Sequence, residues 1–178
     1  SDLEELAFQV NALDVSVVVV DLFWQVGNGP LSFTQTREAL TRKGKISRLD
    51  GIYNALHCCE LIRESNRPLL VLGIGYGGHL AFCAAAEHKV DGICCWHPDG
   101  LGDYAMLSDE IQVPVQLHFG EEDVLVLPHE IEAIKEGLSG NSRARISVHE
   151  GAGFNFSHRS HPSFNESAYQ QSMRGLES

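Results

Sequence analysis

The sequence predicts one α/β domain over residues 1–178, a mostly parallel sheet covered by helices. Short runs rich in Val, Ile and Leu alternate with segments of helical period, and neither a linker nor a repeat interrupts them. Several runs are apolar at every position, as strands buried on both faces are, and such strands belong to parallel sheets wrapped by helices.

The elements follow in order. Leu3, Leu6, Ala7 and Val10 fall at helical spacing, and Val15, Val17, Val18, Val19 and Val20 then form a β-branched run ending at Asp21. That reads as a helix feeding a buried strand. Gly27-Asn28-Gly29-Pro30 breaks regular structure, and the polar stretch 33–48 reads as a surface excursion. Ile52, Ala55, Leu56, Cys59, Leu61 and Ile62 mark an amphipathic helix, followed by Pro68 and a strand over 69–72. The turn Gly73-Ile74-Gly75-Tyr76-Gly77-Gly78 leads into a helix of small apolar residues over 80–86. Strands are expected at 93–96, 113–119 and 146–148, with an acid-rich helix over 128–138 and a terminal helix over 165–176. Sites in such sheets gather at the carboxyl ends of strands, here just after Leu72, Phe119 and Val148.

Charge and composition narrow the partners. Thirteen Lys and Arg against 24 Asp and Glu leave a formal charge of −11, a field that repels phosphate backbones and anionic lipid. Neither nucleic acid nor a membrane is expected as a partner. The apolar run 15–23 is broken by Ser16 and Asp21 and falls far short of the roughly 20 residues of a membrane helix. The start Ser-Asp-Leu-Glu-Glu lacks the layout of a secretory signal, so the expected location is cytoplasmic. Cys58, Cys59, Cys83, Cys94 and Cys95 sit among apolar residues without the C-x2-C spacing of a zinc site. They read as reduced core thiols, and no metal or cofactor is expected.

The glycine turn after residue 72 admits two readings. Gly73, Gly75 and Gly78 satisfy G-x-G-x-x-G between a strand and a helix, with Asp99 about where a ribose-binding acid belongs. The other reading is a strand-to-helix elbow centred on Gly75, relieved by Gly73 and Gly77 on either side. Downstream, Asp123 follows one strand and Gly151-Ala152-Gly153-Phe154 follows the last, the chain order of nucleophile, acid and histidine in a hydrolase triad.

Through these segments, residues 15–176 resemble the dienelactone hydrolase family of the α/β-hydrolase superfamily. Val20-Asp21-Leu22-Phe23 is similar to its "PDLY" strand end, and Gly73-Ile74-Gly75-Tyr76-Gly77-Gly78 to its G-x-C-x-G-G elbow. Residues 114–128 resemble its acid strand and loop, and Glu150-Gly151-Ala152-Gly153-Phe154-Asn155-Phe156 its "A-G-H-x-F" turn. The resemblance implies ester or lactone hydrolysis as the ancestral chemistry, without a cofactor. It also implies that the first strands of the fold, with the loop that supplies an oxyanion-hole amide, have no counterpart in these residues. Either the strands at 15–20 and 69–72 pair directly, or an edge stands open and the chain self-associates.

The departures bear on function. The family's cysteine or serine nucleophile corresponds to Gly75 and its histidine to Phe154, and only the acid Asp123 remains. Glycine offers no nucleophile and phenylalanine moves no proton, so the resemblance implies impaired catalysis. The arginine that binds a substrate carboxylate corresponds to Gln25, with Arg159 as a substitute. The amides of Tyr76, Gly77 and Gly78 at a helix N-terminus form an anion nest whatever stands at position 75. Against this, Gly75 can serve tight packing alone, Asp123 can cap a loop, and Phe154 and Phe156 can fill the core. His149, His158 and His161 lie near the last strand's end, and His158 with Asp123 is the candidate for activating water. His79 reads as packed or exposed, and His97 has no partner legible in the sequence. The readings kept open are an impaired hydrolase, a non-catalytic module binding a small anionic or ester ligand or a protein, and a nucleotide-binding protein.

Overall fold

Four parallel strands stand side by side in chain order: β1 (Leu70–Ile74), β2 (Gly92–Trp96), β3 (Val115–Gly120) and β4 (Ala144–His149). The structure, a computed structural model, describes residues 1–27, 29–63 and 67–176; Asn28, within the expected break, lies outside them. Helices α1 (Asp2–Asn11), α2 (Thr36–Gly44) and α3 (Arg48–Arg63) precede the sheet. A crossover joins each strand to the next, as parallel pairing requires. Helix α4 (Tyr76–Ala86) joins β1 to β2, a 3₁₀ segment (Leu101–Glu110) joins β2 to β3, and α5 (Pro128–Gly137) lies between β3 and β4. Helix α6 (Glu166–Leu176) ends the fold.

Strand β2 divides the core. All five of its residues are buried, and successive side chains of a strand point to opposite faces. Ile93 and Cys95 therefore join Phe82, Leu117, Phe119 and Ile134 on one side, while Cys94 and Trp96 join Leu6, Phe156, Ala168 and Tyr169 on the other. Both faces are covered, which is why the strand sequence is apolar throughout. The helix α4 carries small side chains and is buried from Gly78 to Ala85, so it lies directly on β1 and β2. Five thiols are free and four of them are buried; burial pushes Cys83 up to about 11 and Cys94 up to about 12, so they are unreactive core residues.

Two segments depart from expectation. Residues 15–20 form no strand, and Val15, Val17, Val18, Val19 and Val20 are 36–64% exposed. A β-branched run favours extended backbone but becomes a strand only when a neighbour completes its ladder. Strand β1 pairs with β2 alone among the described strands, so of the two arrangements expected the structure has the open edge. The stretch 33–48, expected as an irregular excursion, contains α2. Arg37, Glu38, Ala39, Leu40, Arg42 and Lys43 are good helix formers, and Arg42 pairs with Glu38 one turn earlier at 3.0 Å.

Candidate functional site

The elbow forms where β1 hands over to α4. Gly75 sits at φ 53° and ψ −118°, backbone angles that cost a side-chain-bearing residue about 1–3 kcal/mol. The turn is locked from two directions: Gly75 N donates to Trp96 O at 3.0 Å, and Gly75 O accepts from Gly78 N at 2.9 Å and Asp99 N at 3.0 Å. A β-carbon on Gly73 would lie 2.4 Å from Gly77 O, and one on Gly78 would lie 2.4 Å from Pro98 Cβ. Those glycines are required by close approach. Of the three amides expected in the nest, Gly78 N is spent on Gly75 O, which leaves those of Tyr76 and Gly77, without intrahelical partners at the positive end of the helix.

Position 75 faces an imidazole. A β-carbon built on Gly75 would lie 3.8 Å from both Nδ1 and Cε1 of His97 and 3.9 Å from Phe154 Cζ, ordinary contact distances. His97 follows β2 at φ 37° and is completely buried, with its N–H donating to His118 O at 2.8 Å. Its ring stands 5.2 Å from Phe154, 5.1 Å from Phe156 and 5.5 Å from His158, centroid to centroid. Nε2 lies 2.7 Å from Ser157 Oγ, while Nδ1 has no hydrogen-bond partner among the described residues. Burial first, and then the neighbouring His158, hold this imidazole down to about 3, so it is neutral at pH 7. The Ser157–His97 pair thus has the contact of a catalytic dyad but a poor base. The local sequence shows no partner for His97, although strand register could have found one: Ile74 pairs with Trp96, which sets residue 97 beside residue 75.

Asp123 stands at the carboxyl end of β3. Its Oδ1 accepts from Leu125 N at 2.8 Å, an Asx turn, while Oδ2 is buried with no partner among the described residues. Burial, followed by the charge of Asp99, raises its pKa. The loop holding it packs on the turn after β4, with Glu122 N donating to Ala152 O at 2.8 Å. Gly75, Asp123 and Phe154 therefore stand at the carboxyl ends of β1, β3 and β4.

The other expected site residues are distributed unevenly. Tyr76 turns away from the nest into a cluster with Phe23 and His79, ring centroids 5.6 and 4.8 Å away, and burial raises its phenol pKa. The ring of His158 is next to His97 and its pKa is lowered by burial, with Asp2 acting against that. Arg159 belongs to a different contact: its guanidinium lies 4.7 Å over the Tyr169 ring and 3.6 Å from Glu5. Gln25 is exposed in a turn. Asp99, the acid of the dinucleotide reading, is an ion-pair partner of Lys43. Among the described residues no group of three or more His, Cys, Asp or Glu could hold a metal ion, and no helix is long and apolar enough to cross a membrane.

Comparison with known proteins gives this arrangement its lineage. A sequence model of the dienelactone hydrolase family matches residues 16–176. The chain belongs to the dienelactone hydrolase family. It is 30% identical over 104 residues to carboxymethylenebutenolidase of Pseudomonas putida, a match covering 58% of this chain and 44% of that protein. The enzyme of the same name from Pseudomonas knackmussii matches over the same shares at 30% identity, so the match spans less than half the length of either relative. Among solved structures, a dienelactone hydrolase-like promiscuous phosphotriesterase from metagenomic libraries superposes with a TM-score of 0.79 at 15% identity, over 99% of this chain and 78% of that one. Thermogutta terrifontis esterase 2 superposes with a TM-score of 0.57 at 18% identity, over 75% and 64%. The α/β-hydrolase fold is thereby established. In this member of the dienelactone hydrolase family, the elbow carries no side chain at its apex and the turn after β4 presents Phe154 to it.

Proposed function

We propose that this dienelactone hydrolase family chain is catalytically impaired in the family's covalent chemistry and acts at the elbow as a binding site for a small ester, lactone or anionic ligand. One observation carries the reading: the apex residue is Gly75, with Phe154 Cζ 3.9 Å from where its β-carbon would stand. A covalent route needs a nucleophile at that apex and a base beside it. Gly75 supplies neither an oxygen nor a sulfur, Phe154 accepts no proton, and the nearest imidazole, His97, is neutral and weakly basic. What persists is the frame for a ligand, formed by the unpaired amides at the start of α4 and by aromatic walls. Binding to nucleic acid or anionic membrane is opposed by the charge of −11.

A panel of activated aryl esters and lactones tests this, read by turnover and by intact mass for an acyl adduct. The expected result is turnover near the uncatalysed rate and no adduct. Turnover well above background that disappears in Asp123→Asn would overturn the reading and support water activation by Asp123 and His158.

A further inference from the structure

We propose that the side-chain position left open by Gly75 binds a carboxylate oxygen of a small organic acid, held by the Nδ1–H of His97. This rests on the reading of the elbow as a binding site without covalent chemistry, and it names the ligand class and the residue that recognises it.

Two independent features converge on that position. The first is the start of α4, eleven residues long, whose first amides lack intrahelical partners and whose dipole favours negative charge. The second is His97, 0% exposed and unpartnered at Nδ1 among the described residues, the nitrogen that lies 3.8 Å from the β-carbon position of residue 75. Buried polar atoms of a protein are almost always satisfied. An atom one bond beyond that β-carbon position, on the side of Nδ1, comes within hydrogen-bond range of it.

The Ser157 hydroxyl on the other side of the ring can donate or accept, and we assign it as the donor. With Nε2 accepting from the Ser157 hydroxyl at 2.7 Å, the neutral ring carries its hydrogen on Nδ1 and becomes a donor. A donor facing a helix N-terminus selects an acceptor, and a carboxylate brings two: one oxygen for Nδ1–H and one for the amides. The edge of Phe154 at 3.9 Å limits the acid to a short, slender chain. Asp99 nearby is paired with Lys43, whereas Asp123 has no cation partner among the described residues and takes the Leu125 amide on Oδ1, so affinity is expected in the millimolar range.

The test uses the full chain, uniformly labelled with ¹⁵N, at pH 7. Long-range proton–nitrogen spectra of the His97 ring are followed while acetate, propionate or neutral acetamide is added. The expected result is a ring protonated on Nδ1 alone whose Nδ1 signal moves saturably with acetate and not with acetamide. Gly75→Ala places a methyl group within a bond length of the oxygen's position, too close for both, and is expected to weaken acetate binding roughly tenfold or more. The wild-type titration decides by itself if that variant fails to fold. A His97 signal unmoved by acetate at tens of millimolar overturns the proposal and leaves a site that holds water only. An equal response to acetamide overturns the choice of ligand class. Ester turnover with an acyl adduct would instead defeat the impaired-hydrolase reading, a result that the acetate titration does not report.

Discussion

Nδ1 of His97 lies 3.8 Å from the position a β-carbon would occupy on Gly75, so the elbow already faces an imidazole from the neighbouring strand. The in-register pairing of β1 with β2 produces this relationship, with Ile74 opposite Trp96 and the next residue of each strand at the carboxyl edge. An imidazole can thus approach the apex from β2 as well as from the turn after β4.

Gly75→Cys is therefore expected to gain reactivity without any change at Phe154. Its sulfur would reach toward Nδ1, where a donated Nδ1–H together with the amides at the start of α4 favours the thiolate, the reactive form of cysteine. Alkylation by iodoacetamide should be faster than at any of the five native cysteines, four of which are buried. Adding His97→Phe should slow it by about tenfold or more. The backbone strain at φ 53° costs about 1–3 kcal/mol, so a thermal melt accompanies the kinetics. An introduced thiol that reacts no faster in the presence of His97 than in its absence would contradict the geometry.

Phe154→His combined with Gly75→Cys restores the family's triad order with Asp123. The double variant is expected to acylate with an activated ester faster than either single variant, measured as a burst. Measured on these 178 residues, in which the family's oxyanion-loop amide is expected to have no counterpart, it should stay on the order of 100-fold or more below an intact triad enzyme. A folded double variant showing no burst would mean that Asp123, tied to Leu125 N, does not orient an imidazole at position 154.

Acid is expected to unfold the chain through its buried imidazoles. A free imidazole titrates near 6.5, whereas His97 is held down to about 3 and His118 to about 4, each chiefly by burial. The unfolded chain therefore takes up protons below pH 6.5 that the folded chain refuses. Stability is complete above that pH and falls by about 1.4 kcal/mol per unit for each imidazole until its folded pKa is reached. The raised pKa of Asp123 acts with the opposite sign. Melting temperatures measured from pH 7.5 to 4.5 should fall steadily, and a flat profile between pH 6.5 and 5 would contradict the assignment of neutral buried rings.

Much of this is legible in the sequence. Four of five expected strands, the elbow and its order with Asp123 and Phe154 follow from period, glycine spacing and chain order, all local properties. The strand expected at 15–20 does not form because Val18, 64% exposed, has β-propensity but no ladder partner, and partnership is a property of the whole sheet. The place of His97 is hidden for a related reason: nothing within a few residues of it refers to Gly75, and only the register of two strands joins them. Nearness in sequence points Arg159 to the last turn, whereas ring stacking on Tyr169 and the charge of Glu5 hold it elsewhere.

Self-association is expected from the same open edge. Leu70, 68% exposed, lies on the edge strand β1, and the valines of the unpaired run 15–20 are exposed as well. Unpaired edges with apolar flanks recruit partners. Sedimentation at micromolar concentration should show a species larger than one chain. Lys substitutions at Val18 and Leu70 should shift it to the monomer, and a wild-type monomer would refute the expectation.

Two glycines of the elbow motif should respond oppositely to alanine. At Gly73 the new methyl group would stand 2.4 Å from Gly77 O and 2.8 Å from Gly78 Cα, backbone atoms of a helix that is itself held by Pro98 and β2. Neither side can move without opening the contact between β1 and α4. Gly73→Ala is expected to cost about 3 kcal/mol or to prevent folding. At Gly77 nothing lies within 4 Å of the built β-carbon, and the residue is in the first turn of α4. Gly77→Ala should gain up to about 1 kcal/mol from lower backbone entropy in the unfolded chain and better helix propensity. Urea denaturation of the two variants measures both. If both destabilise, position 77 is required by something other than packing, and a ligand approaching the amide there becomes the reason to look for; if neither does, the strand-to-helix approach that forms the elbow is looser than its geometry.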